Sequence, residues 1–584
     1  MLVHKWEKLL GISQLRTELP SSGRRGRPLA HVSGIVNLLD EVELTTGPGR
    51  CPVSRTAEEE EEEEEAAAVV DQVDSIPGPK LTIEAISRQA IDSMMSSTAA
   101  FNPADMTVNG VRMRPVPRSM RKSLVLPAEP TAPENEWLYL SNLDRVVTAT
   151  FSSVIHFYEN AVTAERTFQQ VIDGLKRSLS RVLVDFYPFA GRLEVGTDGL
   201  INLHCNDAGA VFVEAAVGVE LAEVGGPQAM HVLSGLEVAR LGKGPLYIPD
   251  QLTPMPTLVV QVTRFKCGAI AVATNWHHNV ADGSSGVHFI KSWAEVATGQ
   301  PLSLVPIHNR MLLKPRTPLN PSLVQGYSTK SAHNLNQVDL HSVHKFSGAT
   351  QPPVIRSFAL DAQTVRQLKS QACGAACEQD AAQRSQTFTS AESISGHLWQ
   401  SMTRARRHAD EASDLDRQTL SKYFMFVDGR KKLDMPAGYF GNVVCSACAV
   451  STEEEILRNP VSYAAGLVRA ACRSITADYF RSLIDWVEVQ GTAPSKSEHV
   501  NSVGRDVAST FWTTFPLYEI EFGFGRPIWA ARNSPPRPLI DGIAMMPSPQ
   551  GQGNMVALIN LHADRMERMQ KDPQFSSVFV ADAL

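Results

Sequence analysis

Thr274-Asn-Trp-His-His-Asn-Val-Ala-Asp-Gly283 sets a histidine, His278, four residues ahead of an Asp-Gly pair, between a strand and a helix. Upstream, Leu258 to Phe265 alternates apolar and polar side chains, Lys266-Cys267-Gly268 reads as a turn, and Ala269 to Trp276 reads as a second strand. Downstream, Ser284 and Ser285 are candidate helix caps. Val287, Ile290, Trp293, Ala294 and Ala297 then share one helical face that ends near Gly299. Asp282 and Gly283 fall in the connecting loop, where glycine supplies backbone freedom. An imidazole held at a strand end can act as a general base. Two ordinary loop histidines beside a turn fit the local spacing too.

Working outward, the chain alternates strand and helix signals from Val111 onward. Phe168, Val171, Ile172, Leu175, Leu179, Val182 and Leu183 form one helical stripe, and Leu200 to His204 and Ala210 to Ala215 read as short strands. Residues 311–353 are rich in Pro, Ser, Asn and Gln, which predicts a crossover linker. The second half resumes with a strand at Val354 to Leu360 and helices near Ala362 to Ala376 and Ser390 to Arg404. Strands follow at Tyr423 to Val427, Asn442 to Val450, Ile540 to Met546 and Met555 to Leu561, then a helix from about Asp564. The pattern is α/β in two similar halves, 111–310 and 354–584. Residues 1–110 mix Gly, Pro and Ser with the glutamates Glu58–Glu65 and few periodic apolar positions, which predicts a disordered low-complexity extension.

At 584 residues the chain exceeds what one core usually serves. The net charge of −7 includes those eight glutamates, and −7 plus 8 leaves +1, so charge gives no case for a nucleic-acid partner. Eight cysteines without a secretory signal indicate a reducing compartment, and the cytoplasm is the expected location. No window is apolar and long enough to span a bilayer. Cys445/Cys448 and Cys373/Cys377 lack partners with finger spacing, so no metal site is expected.

A second signature lies near the C-terminus, where Trp512-Thr-Thr-Phe-Pro-Leu-Tyr518 precedes Glu521-Phe-Gly-Phe-Gly-Arg-Pro527. With His278, Asp282 and Gly283 standing for HxxxDG and Glu521, Phe522, Gly523, Phe524 and Gly525 for DFGWG, the chain resembles the plant BAHD acyltransferases. Ser141-Asn-Leu-Asp144, Phe186 to Leu193, Val427-Asp-Gly-Arg430 and Gly438 to Val443 extend the resemblance over roughly residues 111 to 584. These segments are most similar to the hydroxycinnamoyl-CoA shikimate/quinate hydroxycinnamoyltransferases. The resemblance implies two chloramphenicol-acetyltransferase-like domains, one carrying HxxxDG and one the DFGWG-like motif, with a channel between them. It also implies a monomer that uses acyl-CoA as co-substrate and a small hydroxylated acceptor, with no permanently bound cofactor.

Transfer from a thioester to an alcohol needs a base for the hydroxyl proton and a donor for the carbonyl oxyanion. His278 is the candidate base, and no acyl-enzyme is required because the acceptor oxygen attacks directly. Asp282 is open to two readings: a partner that orients the imidazole, or a scaffold residue paired with Arg430, which the resemblance favours. Trp512 matches the tryptophan of the family's T-S-W segment, whose indole N–H is expected to face the oxyanion; a core tryptophan beside Phe511 and Phe515 is the other reading. The Glu521 to Gly525 motif is implied to be structural, with Glu one methylene longer than Asp and Phe524 lacking an indole hydrogen bond.

The resemblance thins at the acceptor. Ser152, Val154 and His156 fall where shikimate-using relatives present small hydroxyls and a tyrosine. Thr510 marks the start of the T-S-W match, and Lys496 is the cation nearest to where those relatives place an arginine for the acceptor carboxylate. A lysine balances that charge without the bidentate fork, and Lys496 fits a solvated loop equally well. Two other functions stay open at this point: a peptide-synthetase condensation domain reading His277 to Gly283 as HHxxxDG, and a non-catalytic ligand-binding descendant.

Overall fold

The computed structural model describes residues 119–197, 199–224, 254–324, 353–373, 387–407, 419–491, 506–532, 541–551 and 553–581, with two-residue strands at 107–108, 111–112, 327–328 and 496–497. Most of the 1–110 extension, much of the crossover and the loop after Cys373 lie outside the described residues.

The N-terminal half contributes strands β1 (Ser119–Val125), β2 (Phe151–Tyr158), β3 (Ala210–Ala216), β4 (Leu258–Arg264) and β5 (Ile270–His277). Helices α1 (Phe168–Asp185) and α2 (Gly283–Ala297) flank this sheet. All eight residues of β5 are buried, so the strand is covered on both faces. α1 starts with a capping box between Thr167 and Gln170, and its apolar stripe from Val171 to Leu183 is buried. The Trp293 indole N–H of α2 donates to Ser178 Oγ of α1 at 3.0 Å, which joins the two helices inside the core.

The C-terminal half contributes β6 (Pro353–Leu360), β7 (Leu420–Asp428), β8 (Val444–Thr452), β9 (Val507–Phe511), β10 (Trp529–Arg532), β11 (Asp541–Pro547), β12 (Met555–His562) and β13 (Val580–Ala581). Seven of these eight form one sheet in the order β8-β7-β9-β11-β12-β6-β13. The eighth, β10, crosses over: the N-terminal sheet runs β10-β2-β5-β4-β3-β1, with Ala530 opposite His156 and Arg532 opposite Val154. A boundary drawn at residue 354 therefore divides the chain but not the sheets. Phe522 and Trp529 lie in the same apolar core as Trp276 and Trp293.

Two imidazoles inside this core make stability depend on pH. Burial pulls the pKa of His156 down to about 3, and burial followed by the neighbouring His278 does the same for His277. In the unfolded chain both titrate near 6.5. Below that pH the unfolded state binds protons that the native state refuses, so stability is full above pH 6.5 and is lost as pH falls towards 3. Each histidine costs about 1.4 kcal/mol per pH unit in that window. The melting temperature should fall steadily from pH 6.5 to 5, and His156→Leu should flatten the slope; a pH-independent melting temperature would contradict the burial of these rings.

Candidate active site

β5 ends at His277, and the chain turns at once into α2. The His278 backbone N–H donates to Thr150 O at 2.8 Å, tying the loop to the residue before β2. His277 is 2% exposed, whereas His278 keeps part of its surface open, so of the two imidazoles His278 is the one that can meet a substrate. Burial holds the His278 pKa below the ordinary imidazole value; the positive charge of Arg532 adds to this, and Asp282 and Asn442 oppose it. The ring is thus neutral at neutral pH and able to accept a proton.

Asp282 is hydrogen-bonded to Arg430 and not to the imidazole. Arg430 Nη1 and Nη2 donate to its Oδ2 and Oδ1 at 2.8 and 3.0 Å, a bidentate pair between the two halves. The Ser285 and Val443 backbone N–H groups add contacts of 2.9 and 3.0 Å. Burial works to raise the carboxyl's pKa, but Arg430 and these donors outweigh it and leave the pKa below the usual carboxylate range. Asp282 is also the N-cap of α2, which corrects the assignment of the cap to Ser284 and Ser285. The hydroxyl of Ser285 instead donates to Gly441 O at 2.9 Å and accepts from Gly441 N and Arg430 Nη2, each at 3.0 Å.

Gly283 is the first residue of α2, not a flexible loop position, and its φ is not positive. It is required by close approach: a Cβ there would stand 2.9 Å from Trp512 Cζ2. Gly286, one turn on, leaves no room for a Cβ beside the Trp276 ring. Trp276 and Trp512 stack with ring centroids 6.4 Å apart, so both glycines make room for one aromatic wall. Gly283→Ala should displace the Trp512 ring, lowering activity and changing tryptophan fluorescence, with about 1 to 3 kcal/mol lost in stability. Wild-type fluorescence and turnover in that variant would show that the ring does not depend on the gap.

Trp512 follows β9 directly and is 5% exposed. Its indole N–H donates to Thr510 Oγ1 at 3.0 Å rather than facing an open position, which alters the expected arrangement. With Oγ1 accepting from the indole, the Thr510 hydroxyl proton is left for another acceptor. The Arg532 guanidinium lies over the Trp512 ring with Cζ 5.6 Å from the centroid. β10 brings that cation to the site from the far half of the chain.

Ser152 and His156 lie on one face of β2, opposite Trp276 and Val272 in the β2/β5 register. Ser152 is 2% exposed, and His156 is fully buried with its ring stacked on Tyr158 at 6.3 Å. Both side chains are closed off from solvent in this arrangement, so their assignment as acceptor contacts rests on the resemblance alone. Lys496 forms a two-residue strand with Ser497, Lys496 opposite Ser328 and Ser497 opposite Tyr327; its side chain lies outside the described residues. The Glu521 to Gly525 segment packs on the N-terminal half. Phe522 meets Trp293 edge-on at 4.6 Å, Phe524 meets Tyr158 edge-on at 4.9 Å, and Tyr158 Oη donates to Ile520 O at 3.0 Å. Gly523 and Gly525 adopt φ of 87° and 94°, the left-handed region that favours glycine. Glu521 is exposed, so its extra methylene meets solvent.

Asn442 had no assigned role in the sequence reading, although Gly438 to Val443 was part of the resemblance. Its Oδ1 stands 3.1 Å from His278 Nδ1. Asp144, from Ser141-Asn-Leu-Asp144, holds Asn442 from behind.

A transferase family model matches residues 118–576. A hydroxycinnamoyltransferase of Narcissus pseudonarcissus is 32% identical over 459 residues, covering 77% of this chain and 97% of that protein. The chain belongs to the BAHD acyltransferase family. A shikimate O-hydroxycinnamoyltransferase of Nicotiana tabacum is 30% identical, again covering 77% of this chain and 97% of the relative. Among solved structures, F. graminearum TRI101 complexed with ethyl coenzyme A superposes with a TM-score of 0.62 at 15% identity, covering 76% of this chain and 99% of that one. As a member of the family the protein is a CoA-dependent acyltransferase of mixed α/β fold. The condensation-domain alternative gives way to this assignment.

Proposed function

We propose that this BAHD acyltransferase moves a hydroxycinnamoyl group from its CoA thioester to a hydroxyl of a small acceptor such as shikimate or quinate, with His278 as general base. The observation that carries this reading is the neutral, partly open imidazole of His278, with Asp282 engaged by Arg430 and Trp512 packed against Gly283 at the end of the same loop. The His278 ring takes the acceptor hydroxyl proton as the oxygen attacks the thioester carbonyl. The oxyanion is met by the Thr510 hydroxyl, which the Trp512 N–H orients. When the C–S bond breaks, the imidazolium returns the proton to the CoA thiolate. No serine or cysteine takes part.

The donor class is supported by the names of the two relatives above, both hydroxycinnamoyltransferases. Shikimate rests on the second of them. The acceptor's polar groups are assigned to Thr510 and, from the resemblance, to Ser152, His156 and Lys496. The test is to incubate the protein with p-coumaroyl-CoA and a panel of shikimate, quinate, aliphatic alcohols and amines, following free thiol. Thiol release that needs shikimate or quinate supports the assignment; release driven only by an amine or a long-chain alcohol would replace the acceptor class.

A further inference from the structure

Asp282 is occupied by Arg430 and two backbone donors, so the His278 tautomer rests on the ring's other partners, its own backbone carbonyl and Asn442. The hydrogen bonds of Asn442 fix its part. Asn442 Nδ2 donates to Asp144 Oδ1 at 2.8 Å and to the His278 carbonyl oxygen at 2.7 Å. Both partners only accept, so a flipped amide would set oxygen against oxygen twice. With the amide orientation fixed, Oδ1 can only accept, and what it accepts is the proton on His278 Nδ1, 3.1 Å away. The lone pair is then on Nε2.

The support behind the amide is rigid. Asp144 and Arg310 are both fully buried and paired, Nη1 to Oδ2, at 2.6 Å. Asp144 also accepts from Asn442 N at 2.9 Å and from Ser141 N and Oγ at 2.9 and 2.7 Å. Arg310 Nη2 donates to Val280 O at 2.8 Å, and Asn279 Nδ2 donates to Asp144 O at 2.6 Å, so the pair grips the two residues that follow His278. Three distant segments meet there: Asp144 precedes β2, Arg310 follows α2, and Asn442 precedes β8.

We propose that Asn442, anchored by the Asp144–Arg310 pair, is the positioning residue that holds His278 as the Nδ1–H tautomer and aims Nε2 at the acceptor hydroxyl. The proposal rests on His278 being the base. An amide in this place has a consequence a carboxylate would not: it orients the ring without adding a negative charge that favours the imidazolium, so the base stays free of its proton at lower pH. The residue works through His278 and does not touch the reacting atoms.

Two measurements on the full-length protein test this. Asn442→Ala should lower kcat by about tenfold to a thousandfold, as loss of an orienting partner does elsewhere, with the KM for p-coumaroyl-CoA little changed. Asn442→Asp should retain part of the activity and shift the acid limb of the kcat/KM profile to higher pH. A drop in Asn442→Ala that appears only in KM, or no drop, would overturn the proposal. Because either variant could fold poorly, the second measurement uses the unaltered enzyme: the ¹⁵N shifts of its histidines, with the His278 signals assigned by their loss in His278→Gln. A protonated Nδ1 and bare Nε2 near neutral pH are expected, and the reverse tautomer would refute the role of Asn442. This readout needs no turnover, so it is distinct from failure of His278 as the base, which would appear as activity surviving in His278→Ala.

Discussion

His278→Ala should reduce kcat by about 10² to 10⁴ while leaving the melting temperature close to that of the unaltered protein. The size follows from the chemistry: without the imidazole the acceptor must attack as a neutral alcohol and lose its proton to water. The stability expectation follows from the structure. His278 is partly open, and the buried neighbours that define the loop, His277, Asn279 and Asp282, keep their own partners. The KM for acyl-CoA should change little, since what is lost acts on the proton in the transition state. The acid limb of the kcat/KM profile, which reports the free base, should lie below the ordinary imidazole value, because burial and Arg532 both disfavour the charged ring. Activity is therefore retained as pH falls through 6.5 and lost only lower, provided the fold survives. Steady-state rates across pH 4.5 to 8 for both proteins check these statements together.

Arg430→Ala should be costly to the fold. The Asp282 carboxylate is 1% exposed and would lose a bidentate partner, and stripping one member from a buried ion pair typically costs about 3 to 5 kcal/mol. The Ser285 and Val443 amides that remain place the value near the lower end. The same guanidinium bonds Ser285 Oγ and Gly441 O, both at 3.0 Å, so it also closes the backbone that leads to Asn442. Turnover should fall with stability, unlike in His278→Ala. Arg430→Lys should recover only part of either, because one ammonium cannot reproduce the fork. Thermal melts and kcat for the three proteins separate these outcomes; an Arg430→Ala variant as stable as the parent would show that the pair contributes nothing.

The loop that carries His278 was legible because its signals are local. A buried strand, a turn and a 3.6-residue apolar stripe each occupy one short window, and β4, β5 and α2 appear within a residue or two of where the pattern placed them. Cap identity was not: Asp282 is preferred over Ser284 and Ser285 because its side chain serves the Ser285 N–H and Arg430 at once. β10 could not have been placed, since Trp529–Arg532 pairs with β2 more than 370 residues earlier and nothing local marks that partner. Arg532 went unnoticed for the same reason. Asn442 could have been found by asking which polar residue of the Gly438 to Val443 segment has no local turn to serve. The depth of His156 was not legible because strand periodicity gives a face and not its depth, and the role of Gly283 was not because its value lies in the space it leaves for Trp512.

Direct attack by the acceptor, without an acyl-enzyme, is the central claim, and rapid mixing of the protein with p-coumaroyl-CoA tests it. Without acceptor, no thiol should be released and the protein mass should stay unchanged; on adding shikimate or quinate, thiol and ester should appear one for one. A burst of thiol equal to the enzyme concentration before any acceptor is added, with a coumaroyl group covalently attached to the protein, would contradict it.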